Sequence, residues 1–299
     1  MDRYLQLLIT AHMTIRAILN AIFGRRTMYR LRYFRQRKRF PDLNNPKDYS
    51  EFVISDILSD DFLKYSVYAD KIAVRDYVRS KGLEDILLEH YAYFDSPDEI
   101  TPDMLPEKFV LKTNRGASAK DVCICTDKNT FDWNAAKKRL AKAMKFQFEY
   151  ELHYNEIKPR IICEELIETS DGKFPIDYKF TCIKGEIADI FVCSGRESGK
   201  VRHCSVDLDW NQLPYIRDRY LPEVIPARPK HLDRMVRIAE ILSKDFDFVR
   251  VDLYEYKDKV YFSELTFSPF GGIMYGYNET GIREIGKFIS DRSNTLQKS

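Results

Sequence analysis

Asp252 in VRVDLY and Glu264 in YFSELTF lie in two alternating segments joined across Lys257-Asp258, a spacing that reads as facing strands of one hairpin. Side chains so placed approach across the ladder and project from one face. Two hard oxygen donors there could hold magnesium bridged to a triphosphate, because magnesium takes one or two protein carboxylates and completes its shell with phosphates and water. Arg250 falls two residues before Asp252 and shares its face. A guanidinium in that place would stabilise charge developing on a transferred phosphoryl group or a tetrahedral centre. The same residues would equally make an ordinary cross-strand ion pair on a surface hairpin.

Cationic residues come earlier in the chain. Lys71 falls within a helical pattern, and Lys112 ends FVLK just before Thr113-Asn114-Arg115-Gly116-Ala117-Ser118. Small residues with free amides make an anion nest, and a neighbouring lysine adds a point charge. A mobile loop beside a solvated lysine is the plainer alternative. PRIICEELIE ends a buried strand with Glu164, Glu165, Leu166 and Ile167, where exposed backbone could meet an adenine edge. Asp177 and Lys179 share one strand face and would suit a ribose hydroxyl or a phosphate contact, although taken singly such residues are more often surface decoration. The commonest nucleotide signatures are absent: no GxxxxGK precedes a Ser or Thr, and no GxGxxG follows a strand.

The elements that must position these residues are legible from period and turn chemistry. Asn44-Asn45-Pro46 closes a basic helix, and from Tyr68 to Lys81 the apolar residues recur at helical spacing until Gly82. KFVLKTN and DVCICT read as a hairpin with NRGASAK at its tip. Asp132 opens a helix expected to run through about Leu152. IDYKFTCI and EIADIFVC pair across Lys184-Gly185, KHLDRMVRIAEILSKDF is an amphipathic helix, and FVRVDLYEY pairs with KVYFSELTF before a Gly- and Tyr-rich loop and a short closing helix. Hairpins interleaved with helices predict an α+β fold of antiparallel sheets, not a doubly wound parallel sheet.

A chain of 299 residues with 44% apolar content can bury an ordinary core, and a net charge of +2 argues for neither a general nucleic-acid surface nor an acidic tail. Its six cysteines show no zinc-ligand spacing and read as small buried hydrophobes in a reducing, cytoplasmic setting. Tyr4 to Phe23 is apolar but interrupted by Gln6, His12, Arg16 and Asn20, so it predicts neither a clean span nor a signal peptide. GRRTMYRLRYFRQRKRF comes next with no acidic residue. Two readings compete for residues 1–40: peripheral contact with an anionic inner membrane face, or a helix packed on the body with a solvated basic face.

The order of motifs resembles the TupA-like ATP-grasp family, found with bacterial polysaccharide and teichuronopeptide biosynthesis. LNNPKDYSE, YADKIAVRDYV, PEKFVLKTNRGAS, IKPRIICEELI, DYKFTCIKGE, DLDWN and FVRVDLYEYKDKVYFSELTFSP carry the likeness over nearly all of Leu43 to Phe288. The resemblance implies an ATP-grasp fold: a basic helical extension over 1–42, an N-terminal helical lobe over 43–105, a small subdomain with the phosphate loop over 106–168, and a C-terminal subdomain with the metal site over 169–299. It implies that Lys71 and Lys112 touch the ATP phosphates and that Asn114, Gly116 and Ser118 belong to a loop closing over them. Glu164, Glu165, Leu166 and Ile167 would form the adenine hinge, Asp177 would face the ribose and Lys179 the phosphates. Asp252, Glu264 and Thr266 would hold magnesium, with Arg250 against an acyl phosphate. The family loop resembles Asn-His-Gly-Ser-Gly, whereas Arg115 stands here in place of the His.

The activity that this resemblance implies is that of a ligase, using ATP and Mg2+ to join a carboxylate, expected to be a sugar acid, to an amine. Arg250, Lys112 and Lys179 would serve catalysis. Acceptor contacts are expected from Arg196, Lys200, Arg202 and His203, and from Gly271, Gly272 and Tyr275 in GGIMYGY. A kinase would use the same apparatus on a hydroxyl. Asp207-Leu-Asp209 mimics the DxD of a glycosyltransferase, and residues 25–39 could make an RNA-binding or membrane module.

Overall fold

The computed structural model describes residues 22–115, 121–167, 174–196 and 199–296. Its helices are α1 (22–37), α2 (Tyr49–Ile57), α3 (Ser66–Ala69), α4 (Val74–Ser80), α5 (Trp133–Met144), α6 (Leu232–Ser243) and α7 (Glu279–Leu296). Its strands are β1 (His90–Phe94), β2 (Phe109–Thr113), β3 (Cys123–Cys125), β4 (Ile161–Glu164), β5 (Asp177–Ile183), β6 (Glu186–Ser194), β7 (Arg202–Val206), β8 (Gln212–Leu213), β9 (Val249–Tyr256) and β10 (Lys259–Thr266). They form a four-stranded sheet ordered β1-β4-β2-β3 and a six-stranded sheet ordered β10-β9-β5-β6-β7-β8. Every pairing is antiparallel, so the α+β expectation holds.

Both long hairpins turn where the sequence places them. Lys184 and Gly185 take φ of 48° and 89°, and Lys257 and Asp258 take 44° and 60°, the left-handed pair whose twist matches flanking strands. α6 buries Leu232, Met235, Ile238, Ala239 and Leu242 at helical spacing, packing on β5, β6 and β9. The smaller sheet covers its own core with α5, through Ala136 and Leu140. All six cysteines are buried and free.

Several boundaries differ from those that periodicity predicts. The helix expected from Tyr68 to Lys81 breaks into α3 and α4, because Lys71 N donates to Asn114 O at 2.9 Å and Ile72 N donates to the Asp70 carboxylate at 2.8 Å. α5 stops at Met144 instead of reaching Leu152: Arg115, from the end of β2, donates to Met144 O and Phe146 O at 2.8 Å each and caps the helix end. The segment expected to be helical up to residue 105 contributes β1, which pairs with β4 at the edge of the smaller sheet. β7 and β8 are strands too short and too mixed in polarity for alternation to reveal them.

α1 is anchored to the body by one face. Met28, Tyr29, Tyr33 and Arg37 are buried, the Tyr33 hydroxyl donates to Asp48, and Arg39, just beyond the helix, pairs with Asp48 at 2.5 Å and Glu51 at 2.9 Å. Asp48 and Glu51 in turn make the capping box of α2, Glu51 N donating to Asp48 Oδ1 at 2.9 Å. Arg37, its side chain fully buried, donates to Met274 O at 2.6 Å, Tyr277 O at 3.1 Å and Glu279 at 3.0 Å. The N-terminal helix thereby holds the loop that follows β10. No helix among the described residues is long and apolar enough to cross a membrane.

Candidate active site

The larger sheet builds the site from two rungs on one face. The first aligns Lys179 on β5, Asp252 on β9 and Glu264 on β10; the second aligns Thr181, Arg250 and Thr266. The register of β10 is irregular between Phe262 and Glu264, leaving Ser263 as an extra residue. Had Ser263 taken the place opposite Asp252, Glu264 would face Val251 and point to the other side of the sheet. The bulge sets the carboxylates face to face.

Charge is dense and matched there. Arg250 Nε donates to Asp252 Oδ1 and its Nη2 to Asp252 Oδ2, both at 2.7 Å, while Lys179 donates to Oδ2. Arg250 Nη2 also reaches Thr266 Oγ1 at 3.2 Å, and the Thr266 hydroxyl donates to Glu264 Oε1 at 3.2 Å. Lys71 Nζ lies 3.0 Å from Glu264 Oε2. Burial alone would push the Glu264 carboxyl up, yet Lys71, Lys179 and Arg250 hold it far below the usual carboxylate range. The same logic runs in reverse for Lys71, which burial would discharge and Glu264 keeps charged.

The smaller sheet supplies the opposite wall. Lys112 Nζ on β2 pairs with Glu164 Oε1 on β4 at 2.6 Å, and His90 Nε2 from β1 lies 3.4 Å from Glu164 Oε2. Against the effect of burial, Lys112 and His90 hold Glu164 down at about 2. Lys71 links the two sheets: its amide donates to Asn114 O, just past β2, at 2.9 Å, and its Nζ pairs with Glu264 on β10. His90 is a site residue that the motifs do not point to, although the alternation in HYAYF is the signal for its strand.

Other predicted positions have varied surroundings. Asn114 spends its side chain inside the protein, donating to Asp70 at 3.0 Å and Lys158 O at 3.1 Å and accepting from Arg160 N at 2.8 Å; it locks the Lys71 turn to β2 and β4. Gly116 and Ser118 lie outside the described residues. Glu165 donates its amide to Glu89 O at 2.9 Å, and it, Leu166 and Ile167 follow β4 as half-buried coil. Asp177 is buried beneath Arg196, which pairs with it, and lies 3.8 Å from Lys179 Nζ. His203, packed on Phe191, is lowered to about 4 by burial and by Arg196 and Lys179.

Arg202 donates to Arg219 O at 2.9 Å on the exposed edge, and Lys200 is exposed close by in sequence. Tyr275 is exposed, its ring 4.8 Å from Phe270. Gly271 and Gly272, expected at an acceptor, are buried with φ of 59° and 79°. Gly272 is a packing glycine: a Cβ there would meet Ile54 Cγ1 of α2 at 2.9 Å. Gly271 faces Arg32 and Glu151, and Glu151 accepts from Ser268 Oγ at 2.6 Å. Burial raises the Glu151 carboxyl. The DxD is a turn between β7 and β8: Asp207 accepts from Asp209 N at 3.0 Å and from Asn211 N at 2.8 Å.

The donors present suit a hard divalent cation. No group of three His, Cys, Asp or Glu among the described residues forms a self-sufficient metal cage. Asp252 and Glu264 offer the one or two carboxylates that magnesium takes when phosphates complete its shell. Asp252 receives three hydrogen bonds, fewer than the roughly four lone-pair sites of a carboxylate.

Two antiparallel sheets facing each other over lysines, an arginine and paired carboxylates are the architecture of the ATP-grasp class. A family model described as TupA-like ATPgrasp matches residues 54–290, and the chain belongs to that family. Among solved structures it is similar to D-alanine–D-alanine ligase from Bacillus anthracis complexed with ATP, at 14% identity over 79% of this chain and 69% of that one, TM-score 0.46. D-cycloserine synthetase DcsG is similar at 15% identity, 81% and 78% coverage and TM-score 0.44. The ATP-grasp ligase PsnB, complexed with a precursor variant, Mg and ADP, gives 12% identity, 76% and 60% coverage and TM-score 0.41. At such identities the likeness says nothing of substrate. No curated protein matches the chain.

Proposed function

We propose that the chain is an ATP- and magnesium-dependent ligase that activates a carboxylate as an acyl phosphate and joins it to an amine, with a sugar acid of a surface polysaccharide or its precursor as one partner and an amino acid or amine as the other. The observation that carries this reading is the juxtaposition of Lys71 with Glu264 and of Lys179 and Arg250 with Asp252. Family membership supplies the nucleotide.

Lys71, Lys112 and Lys179 would meet the phosphates, and Asp252, Glu264 and Thr266 would hold magnesium, which supplies charge neutralisation between the phosphates when bound. A carboxylate oxygen of the acid attacks the γ-phosphorus and ADP leaves. The amine then attacks the acyl carbon, phosphate departs with the C–O bond, and the nitrogen loses its proton. Arg250 offers a fixed cation to the negative charge that gathers on the acyl phosphate and the tetrahedral adduct. Such chemistry asks for positioning more than for covalent help from the protein.

Incubation with ATP, magnesium and pools of uronic acids and amino acids, following ADP release and product mass, tests the reading. ADP release that needs both acid and amine, with a product of their combined mass less water, supports it. Sustained ADP release without amine, with a stable phosphate ester on a hydroxyl as product and not an acyl phosphate, makes the protein a kinase instead, and normal turnover in Lys112→Ala and Glu264→Ala removes the site assignment.

A further inference from the structure

We propose that the outward face of α1 docks on an anionic lipid surface. The helix has two faces of opposite character. Tyr29, Tyr33 and Arg37 point into the body, whereas Phe23, Leu31 and Phe34 are 54%, 48% and 41% exposed on the other side, and Phe40 just past the helix is 53% exposed. Phe23, Thr27, Arg30, Leu31, Phe34 and Arg35 recur at helical spacing and form one outward stripe. Phe34 stacks on Phe40 with centroids 4.7 Å apart, and Arg30 lies 5.5 Å from the Phe40 ring, so two of the apolar residues and a cation make one cluster on that side.

Charge complementarity selects the occupant. No acidic residue occurs between Ile22 and Pro41. Inward-turned Arg37 and Arg39 already meet carboxylates, while Arg30, Arg35 and Lys38 stand on or beside the outward stripe without an ion pair to any described residue. Large apolar side chains among such cations match the boundary between anionic headgroups and acyl chains. A nucleic-acid backbone would satisfy the cations and leave Leu31 against phosphate. The face is also preorganised, because Tyr33 and Arg37 fix the rotation of the helix on the body. No ordering of the helix is needed on contact.

Sedimentation of the full chain with vesicles tests the proposal, using equal parts phosphatidylcholine and phosphatidylglycerol against phosphatidylcholine alone. The expected result is salt-sensitive binding to the mixed vesicles only, weakened about a hundredfold when Arg30→Glu, Arg35→Glu and Lys38→Glu are combined. Leu31→Ser with Phe34→Ser should weaken it as well. Unchanged thermal melting of these surface variants shows that the loss is not unfolding. Failure to bind mixed vesicles overturns the proposal, as does wild-type binding by the triple variant. Two further results also overturn it: a dimer that Leu31→Ser and Phe34→Ser dissolve without affecting vesicles, or capture of an RNA oligonucleotide with no vesicle binding.

Discussion

Lys71, on a turn between two short helices near the front of the chain, sits 3.0 Å from Glu264, two residues before the end of the last strand. Almost two hundred residues separate them in sequence. The contact closes the smaller sheet over the larger one, since Lys71 is tied by its backbone to Asn114 at the end of β2. With both partners largely shielded, a double-mutant cycle of Lys71→Met and Glu264→Gln in urea unfolding should show a coupling of about 1–3 kcal/mol. Additive losses would mean that the pair does not hold the two walls together.

Arg37 donates three hydrogen bonds from a fully buried side chain to Met274, Tyr277 and Glu279. Arg37→Ala removes the side-chain donor to Met274 O and the charge partner of Glu279, and leaves Tyr277 O with Arg217 Nε alone at 3.0 Å, so it should cost about 2–4 kcal/mol of stability, read as a lower urea midpoint. Arg37→Lys should recover only part, because an ammonium lacks the fork that serves several acceptors at once.

His153 is buried beside Phe62 and Tyr154 with no partner for either ring nitrogen among the described residues. Burial lowers it from 6.5 to about 3, so between those pH values the unfolded chain binds a proton that the folded chain refuses. Stability contributed by the neutral ring is therefore complete above 6.5 and falls as the pH drops toward 3. His153→Leu should flatten stability over that window. An unchanged slope in urea melts taken across it would contradict the assignment.

Much of this site was legible because strand alternation and turn chemistry are local. The two hairpin turns, the shared face of Asp177 and Lys179 and that of Arg250 and Asp252 all come from residues close together in sequence. What the sequence hid depends on distant partners. The bulge at Ser263 carries no Gly or Pro, yet it decides that Glu264 faces Asp252. Arg115 reads as part of a phosphate loop and is drawn instead to the carbonyls at the end of α5. Gly272 reads as a binding glycine and is required by the close approach of Ile54. The arginines of α1 have no local acid to betray them, and Arg37 finds its acceptors more than two hundred residues away.

The lysines and paired carboxylates stand as one centre only if nucleotide and metal depend on each other there. Calorimetric titration of ATP with and without magnesium, into wild type and into a variant combining Asp252→Asn with Glu264→Gln, measures this directly. Wild type should bind ATP more tightly with magnesium, and the variant, folded by circular dichroism, should lose that magnesium-dependent gain. A variant that keeps the full gain would contradict the account.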